Sequence, residues 1–224
     1  MIVLAIDTAT PAITAGVVRV DPTNPETLAS RVTVDPRAHG ELLIPHLAAA
    51  LAEAGLDFDD VDAIVCGTGP GPFTGLRVGM VTAASLAHAL AVPLHGVCTH
   101  DAIAADSATG ETLLVVTDAR RREVYWSAYD PTGHRTAGPD VSTPAHLAER
   151  LPDLGVTAAA GQGARLYAHV LGLPVVEPAY PSPAGLVTAA DTTTVETTTA
   201  DHFRPLYLRR PDAVEPGPRK KVTT

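Results

Sequence analysis

The sequence predicts an α/β protein built from two copies of one unit, each running βββαβαβα. Three observations carry that reading. Short β-branched runs alternate with stretches of helical spacing, the element order of the first half recurs in the second, and each half opens on an apolar strand ending at an aspartate, Asp7 and Asp118. With 46% hydrophobic residues among 224, the chain has ample material for a core.

The elements follow in order. Met1–Asp7 is apolar and β-branched, the pattern of a buried strand, with no basic stretch before it to suggest a secretion signal. Ile13–Val20 alternates Ile13, Ala15 and Val17 with Thr14, Gly16 and Val18, the period of a half-buried strand. A turn over Asp21–Pro25 leads to a third strand at Leu28–Val34. From Pro36 to Gly55 the spacing becomes helical, with Leu43, Leu47 and Leu51 on one face and Gly55 as the stop. Pro45 lacks a donor and is expected to kink this helix. Ala63–Cys66 is a fourth strand, followed by a glycine-rich loop and a helix from Gly75 to Leu90. Pro93–Val97 is the fifth strand, and His100–Ala105 begins another helix.

The second half repeats this order. Leu113–Thr117 ends at Asp118, and the basic turn Arg120–Arg122 leads to the strand Val124–Tyr129. Pro131-Thr132-Gly133 turns toward a third strand, Pro144–Leu151 is helical, and Val156–Ala160 is a strand. Gly161-Gln162-Gly163 opens a helix over Ala164–Leu171, Val175-Val176 forms a short last strand, and Ser182–Ala190 forms the last helix. Thr192–Thr199, six threonines in eight residues, reads as a surface loop, and the proline-rich basic stretch after Arg210 as a flexible tail. The boundaries expected are a first lobe over 1–106, a second over 107–210 and the tail over 211–224.

Charge narrows the function. The formal net charge is −9, and the only lysines are Lys220 and Lys221. Arg204 to Thr224 holds six Lys/Arg against Asp212 and Glu215, a net of +4, which leaves −13 for the residues before it. So acidic a body repels phosphate backbones and is a poor nucleic-acid binder by itself. It also has no lysine for a P-loop, a Schiff base or a phosphate clamp. No run of eighteen apolar residues spans a membrane, and Cys66 and Cys98 provide no disulfide framework.

Three features could carry chemistry. The loop Cys66–Gly79 fixes a strand-to-helix junction whose free N–H groups suit an anion. The same stretch starts a stripe of small residues, Gly75, Gly79, Ala83 and Ala87, that lets another helix approach closely; both readings stay open. The turns at Asp7-Thr8-Ala9-Thr10 and Asp118-Ala119-Arg120 resemble the paired hairpins with which actin-like ATPases hold Mg²⁺ and phosphate between two lobes, and Gly161 and Gly163 would sit where the adenosine lies. Both turns are poor in glycine, so a degenerate nucleotide cleft is expected, with Asp7, Thr8, Thr10, Asp118, Gly161 and Gly163 as its residues. A metal site is disfavoured, because His39 and His46 are seven residues apart, about 10 Å along a helix. His39, His46, His88, His95 and His100 all read as surface or capping residues, and the two cysteines as buried thiols.

At this point the motifs gain a family. Ile-Asp-Thr-Ala-Thr near the start, His39-Gly-Glu-Leu-Leu-Ile-Pro, Gly-Pro-Gly-Pro-Phe-Thr-Gly-Leu-Arg-Val-Gly, Asp-Ala-Arg-Arg-Arg-Glu-Val-Tyr and Pro205-Leu-Tyr-Leu-Arg resemble the TsaB (YeaZ) family from Met1 to Arg209. The resemblance implies the actin-like ATPase (ASKHA) fold, two RNase H-like lobes. It implies a cytoplasmic, non-catalytic scaffold that pairs with the related transferase subunit TsaD and the ATPase TsaE. Together they make N6-threonylcarbamoyladenosine at position 37 of tRNAs reading ANN codons. No cofactor beyond vestigial ATP or ADP binding is implied, tRNA is met through the complex, and a homodimer forms when TsaD is absent. The family pairs through its two N-terminal helices, which carries the interface here onto His39, Leu42, Leu43, Leu47, Gly75, Arg77, Gly79 and Ala83. The alternatives are an actin-like ATPase or kinase and a glycoprotease-like metallopeptidase. Pro72, where the family often has serine, and the threonine run depart from its usual text.

Overall fold

The first three strands form a meander in which the first and most of the second are buried on both faces; the half-burial expected of Ile13–Val20 is not seen, because helices cover both sides of the sheet. In the computed structural model, which describes residues 1–21, 25–107, 110–190 and 203–209, β1 (Ile2–Asp7) pairs antiparallel with β2 (Ala12–Val20), and β2 with β3 (Pro25–Val34). β4 (Ala63–Gly67) and β5 (Leu94–Val97) join beyond β1 as parallel strands, giving the order β3-β2-β1-β4-β5. The second half repeats this with β6 (Leu113–Arg120), β7 (Glu123–Tyr129), β8 (Arg135–Ser142) and β9 (Ala158–Ala160) in the order β8-β7-β6-β9. An isolated bridge, Ala159 to Val175, stands in the place of its fifth strand. Parallel neighbours need crossovers, which the helices supply. The result is the actin-like arrangement of two RNase H-like lobes.

Apolar stripes seat the helices. α1 (His39–Ala54) and α2 (Phe73–Leu90) bury Leu43, Leu47, Leu51, Leu76 and Ala83 against Leu4, Ile6 and Ile13 on one face of the first sheet. Each of these leucines and isoleucines contributes about 1.5–3 kcal/mol by leaving water. On the second sheet, α4 (Pro144–Leu154), α5 (Gln162–Leu166) and α6 (Ala168–Leu171) cover Leu114, Val116 and Trp126 through Leu147, Ala164 and Leu171.

The remaining two helices are exchanged between the lobes. α3 (Thr99–Asp106) lays Ile103 and Ala104 on Leu113, Val115 and Tyr129 of the second sheet. α7 (Pro183–Ala189), from the far end of the second half, lays Leu186 and Val187 on Val3, Ala5, Val18 and Val65 of the first. The two are joined where the Asp106 carboxylate accepts the N–H and hydroxyl of Ser182, at 2.9 and 2.8 Å.

Several boundaries differ from expectation. α1 starts at His39 rather than Pro36, because the Asp35 carboxylate accepts the Arg37 N–H and holds a turn there. α1 runs on through Pro45, which lies with Glu41 on the exposed side, where water can take the freed carbonyl. The helix expected over Ala164–Leu171 starts earlier and divides at Tyr167, and Val175-Val176 forms only the single bridge. The Thr192–Thr199 segment, the tail at 211–224 and most of the Asp21–Pro25 turn lie outside the described residues.

Residues 203–209 return across both lobes. Phe203 packs on the first core, the Leu206 N–H donates to the Thr68 carbonyl at 2.8 Å, and Tyr207 stacks on Phe73 at 5.2 Å. The Arg209 guanidinium then reaches the Ala119 carbonyl at 3.2 Å and Glu123 at 3.4 Å.

Candidate functional site at the inter-lobe cleft

The β1–β2 turn lies at the end of β1, and its polar groups are engaged from within. The fully buried Asp7 carboxylate accepts the Ala9 N–H at 2.9 Å and the Thr99 hydroxyl at 2.6 Å. Burial pushes its pKa up to about 6; the bonds from Thr99, Ala9 and Thr10 pull the other way and recover only part of the rise. Gly67 leaves room for this carboxylate, since a methyl there would overlap it.

Thr8 explains the glycine stripe. Its hydroxyl donates to the Gly75 carbonyl at 2.7 Å and accepts the Gly79 N–H at 2.9 Å, bridging the two ends of one helical step. Gly71 completes the fit, because a methyl there would overlap the Ala9 carbonyl. The stripe is therefore a seat for the chain's own hairpin. His39 Nε2 lies 2.9 Å from the Thr10 carbonyl, which can only accept, so this nitrogen carries the proton.

The second turn is held differently. Asp118 accepts the Arg120 N–H at 3.1 Å, and its own N–H donates to Gln162 Oε1 at 3.3 Å. Gly161, at φ +94°, sits under the Val116 carbonyl, and Gly163 meets the Thr117 backbone. These glycines let α5 approach β6.

Between the turns opens a cleft of about 880 Å³. Thr8, Thr10, His39, Gly75 and Asp118 line it; Asp7, Gly161 and Gly163 do not. Arg37, Phe73, Thr74 and Arg120 also line it; of these only Arg120 is marked by the sequence as a cleft residue, through its basic turn. Arg37 and Arg120 had no spacing signal, because they come together only when the halves close on each other.

Of the residues expected to meet a partner, Leu43, Leu47, Gly79 and Ala83 are buried among the chain's own residues, and His39 is buried on Thr10. Their spacing is the same whether the neighbour is a partner or the chain's own sheet and hairpin, and here it is the latter. Leu42 and Gly75 are partly buried, and Arg77 is exposed. Beside them Ile44, Phe73 and Val81 expose apolar side chains, Val81 to 63%.

The histidines and thiols resolve individually. His46 bonds Thr33, but His39, His95 and His100 are buried rather than superficial. Burial, with Arg135 adding positive charge, lowers the His100 pKa to about 3, and its neutral ring bridges Ser127 and Thr117, both at 2.9 Å. His100→Leu is expected to cost about 2 kcal/mol, because two buried hydroxyls lose their partner. Adding Thr117→Val and Ser127→Ala should restore much of it in urea unfolding; no recovery would refute the bridge. Burial raises both thiols, Cys66 further by the charge of Asp7, and Cys98 to about 11 with Asp101 adding to it. Neither ionises at neutral pH. Among the described residues no three His, Cys, Asp or Glu side chains stand close enough to hold a metal, and no helix is long and apolar enough to cross a membrane.

Known proteins share this architecture. The family model described as TsaD, tRNA N6-adenosine threonylcarbamoyltransferase, matches residues 27–214. The tRNA threonylcarbamoyladenosine biosynthesis protein TsaB of Escherichia coli is 31% identical, over 99% of this chain and 100% of its own. An uncharacterized Mycobacterium leprae protein is 53% identical over 95% of this chain, which spans 56% of that protein's length. A Pseudomonas aeruginosa protein solved as similar to peptidase YEAZ superposes with a TM-score of 0.76 at 29% identity, covering 93% of this chain and 99% of that one. Taken with the duplicated lobes and the internally engaged hairpin, these matches place the chain in the TsaB (YeaZ) family of tRNA threonylcarbamoyladenosine biosynthesis proteins, relatives of TsaD.

Proposed function

We propose that this chain is a non-catalytic scaffold that pairs with a TsaD-type transferase, and with a TsaE-type ATPase, in the cytoplasm. The assembly would transfer threonylcarbamoyl to adenosine 37 of tRNAs reading ANN codons. The observation that supports the reading is the occupancy of the β1–β2 turn. A phosphate-gripping hairpin offers free N–H and hydroxyl groups, whereas here the Ala9 N–H serves Asp7 and the Thr8 hydroxyl serves α2. Any ATP or ADP binding would then be vestigial. Calorimetric titration of the isolated chain with ATP and Mg²⁺ tests this, and micromolar binding abolished by Asp7→Ala would favour the ATPase or kinase reading instead.

The pairing surface follows from what α1 and α2 leave exposed, Ile44, Phe73, Arg77 and Val81, with the partly buried Leu42 at its edge. Without the transferase, the same surface would pair two copies of this chain. Val81→Asp places a charge on an outward position and spares the core. Sedimentation of the purified pair should show at least tenfold weaker association, with the unfolding midpoint unchanged. An unaltered heterodimer would exclude this face. Gly79→Leu is unsuitable for the purpose, because its side chain would collide with Thr8 inside the fold. Reconstituted tRNA modification with and without the chain decides the function as a whole.

A further inference from the structure

The β6–β7 turn carries three consecutive arginines, Arg120, Arg121 and Arg122, at φ +62°, +51° and +64°. Residues with a β-carbon enter this region at a cost, and glycine or asparagine would build the turn more readily. All three arginines are exposed, so core packing does not account for them. Ion pairing does not account for Arg120 or Arg122 either. The flanking carboxylates are already engaged, Asp118 with the Arg120 N–H and Glu123 with Arg209. Arg120 and Arg122 make no ion pair among the described residues, and neither does Arg37, which lines the same cleft as Arg120.

The setting adds to this. Residues 1–203 carry a net −13, and Arg19, Arg31, Arg135, Arg150 and Arg165 each pair with a carboxylate. A chain so rich in acid that leaves arginines unneutralised around one cleft presents a local cationic edge on a repelling body.

We propose that the Arg120–Arg122 turn, with Arg37, is a contact for the phosphodiester backbone of RNA. This rests on the tRNA-modification reading above and adds to it a site on this chain. Guanidinium forks match phosphate geometry and need no base sequence, while the acidic surface elsewhere confines the nucleic acid to this rim.

The test uses this chain with its transferase partner, titrated with a transcribed ANN-reading tRNA at several salt concentrations. The triple substitution Arg120→Gly, Arg121→Gly, Arg122→Gly keeps the turn, because glycine enters the left-handed region freely. Three asparagines replace the glycines if these lower the unfolding midpoint. Partner association and folding should persist, while tRNA affinity near 0.15 M salt falls about tenfold or more. The slope of log affinity against log salt should shrink by about two to three, one phosphate per lost arginine. Unchanged affinity and slope would overturn the inference. So would a loss confined to partner association, which would make the turn a protein contact, or a loss of ADP binding with RNA affinity intact. If the unsubstituted complex neither binds nor modifies tRNA, the functional reading itself fails and takes this inference with it. Modification with unaltered binding by the variant sinks this inference alone.

Discussion

Asp7→Asn is expected to gain on the unsubstituted chain by up to about 1.4 kcal/mol per pH unit between pH 4 and 6, about 3 kcal/mol in total. The folded carboxyl sits at about 6 against 3.8 for the ordinary group, so the native state binds the extra proton in this window. Stability from Asp7 is therefore present at low pH and is lost as pH rises toward 6. Asparagine keeps the acceptor for the Ala9 N–H, turns its amide toward the Thr99 oxygen, and removes the titration. The opposite slope comes from His100, whose folded value of about 3 lies below the ordinary 6.5. Its contribution is full above pH 6.5 and is lost as pH falls toward 3. The two groups oppose each other between pH 4 and 6, and the asparagine variant should expose the histidine's rising slope. Urea midpoints at pH 4, 5, 6 and 7 measure this. Parallel curves for the two proteins would show that Asp7 does not titrate as a buried acid.

Gly161→Ala is expected to destabilise the fold by about 3–5 kcal/mol. A residue with a β-carbon at φ +94° is strained, and the added methyl overlaps the Val116 carbonyl inside β6. Neither party can yield cheaply, because β6 is an interior strand of the second sheet, held by β7 on one side and β9 on the other. Gly172→Ala is the control. It has φ +66° but no atom within 4 Å of the new methyl, so only the backbone cost of about 1–2 kcal/mol applies. Chemical denaturation of both variants separates strain from overlap. Equal losses would mean that the approach of α5 to β6 does not depend on this glycine.

The α/β class, the duplication and nearly every strand were legible from the sequence, because each half alternates period 2 with period 3.6 and marks its turns with proline and glycine. What a stripe faces was not legible. Gly75, Gly79 and Ala83 have the same spacing whether they receive a partner helix or a threonine hydroxyl from β1. His100 looked superficial, because nothing in its own neighbourhood announces Ser127 and Thr117, contributed by two later strands. The arginines of the cleft were likewise visible as a basic turn, but Arg37 joins them only in three dimensions. The aspartates were recognised, yet Thr99, which holds Asp7, lies 92 residues away.

The exchange of α3 and α7 has a consequence for biosynthesis. As the chain leaves the ribosome, the first sheet can acquire α1 and α2 promptly, but its other face waits for residues 183–189. Until then Val3, Ala5, Val18 and Val65 stay wet and adhesive. A nascent chain halted near residue 110 is thus a half-covered sheet, suited to capture by chaperones and prone to self-association. Maturation hinges on the last helix to be made.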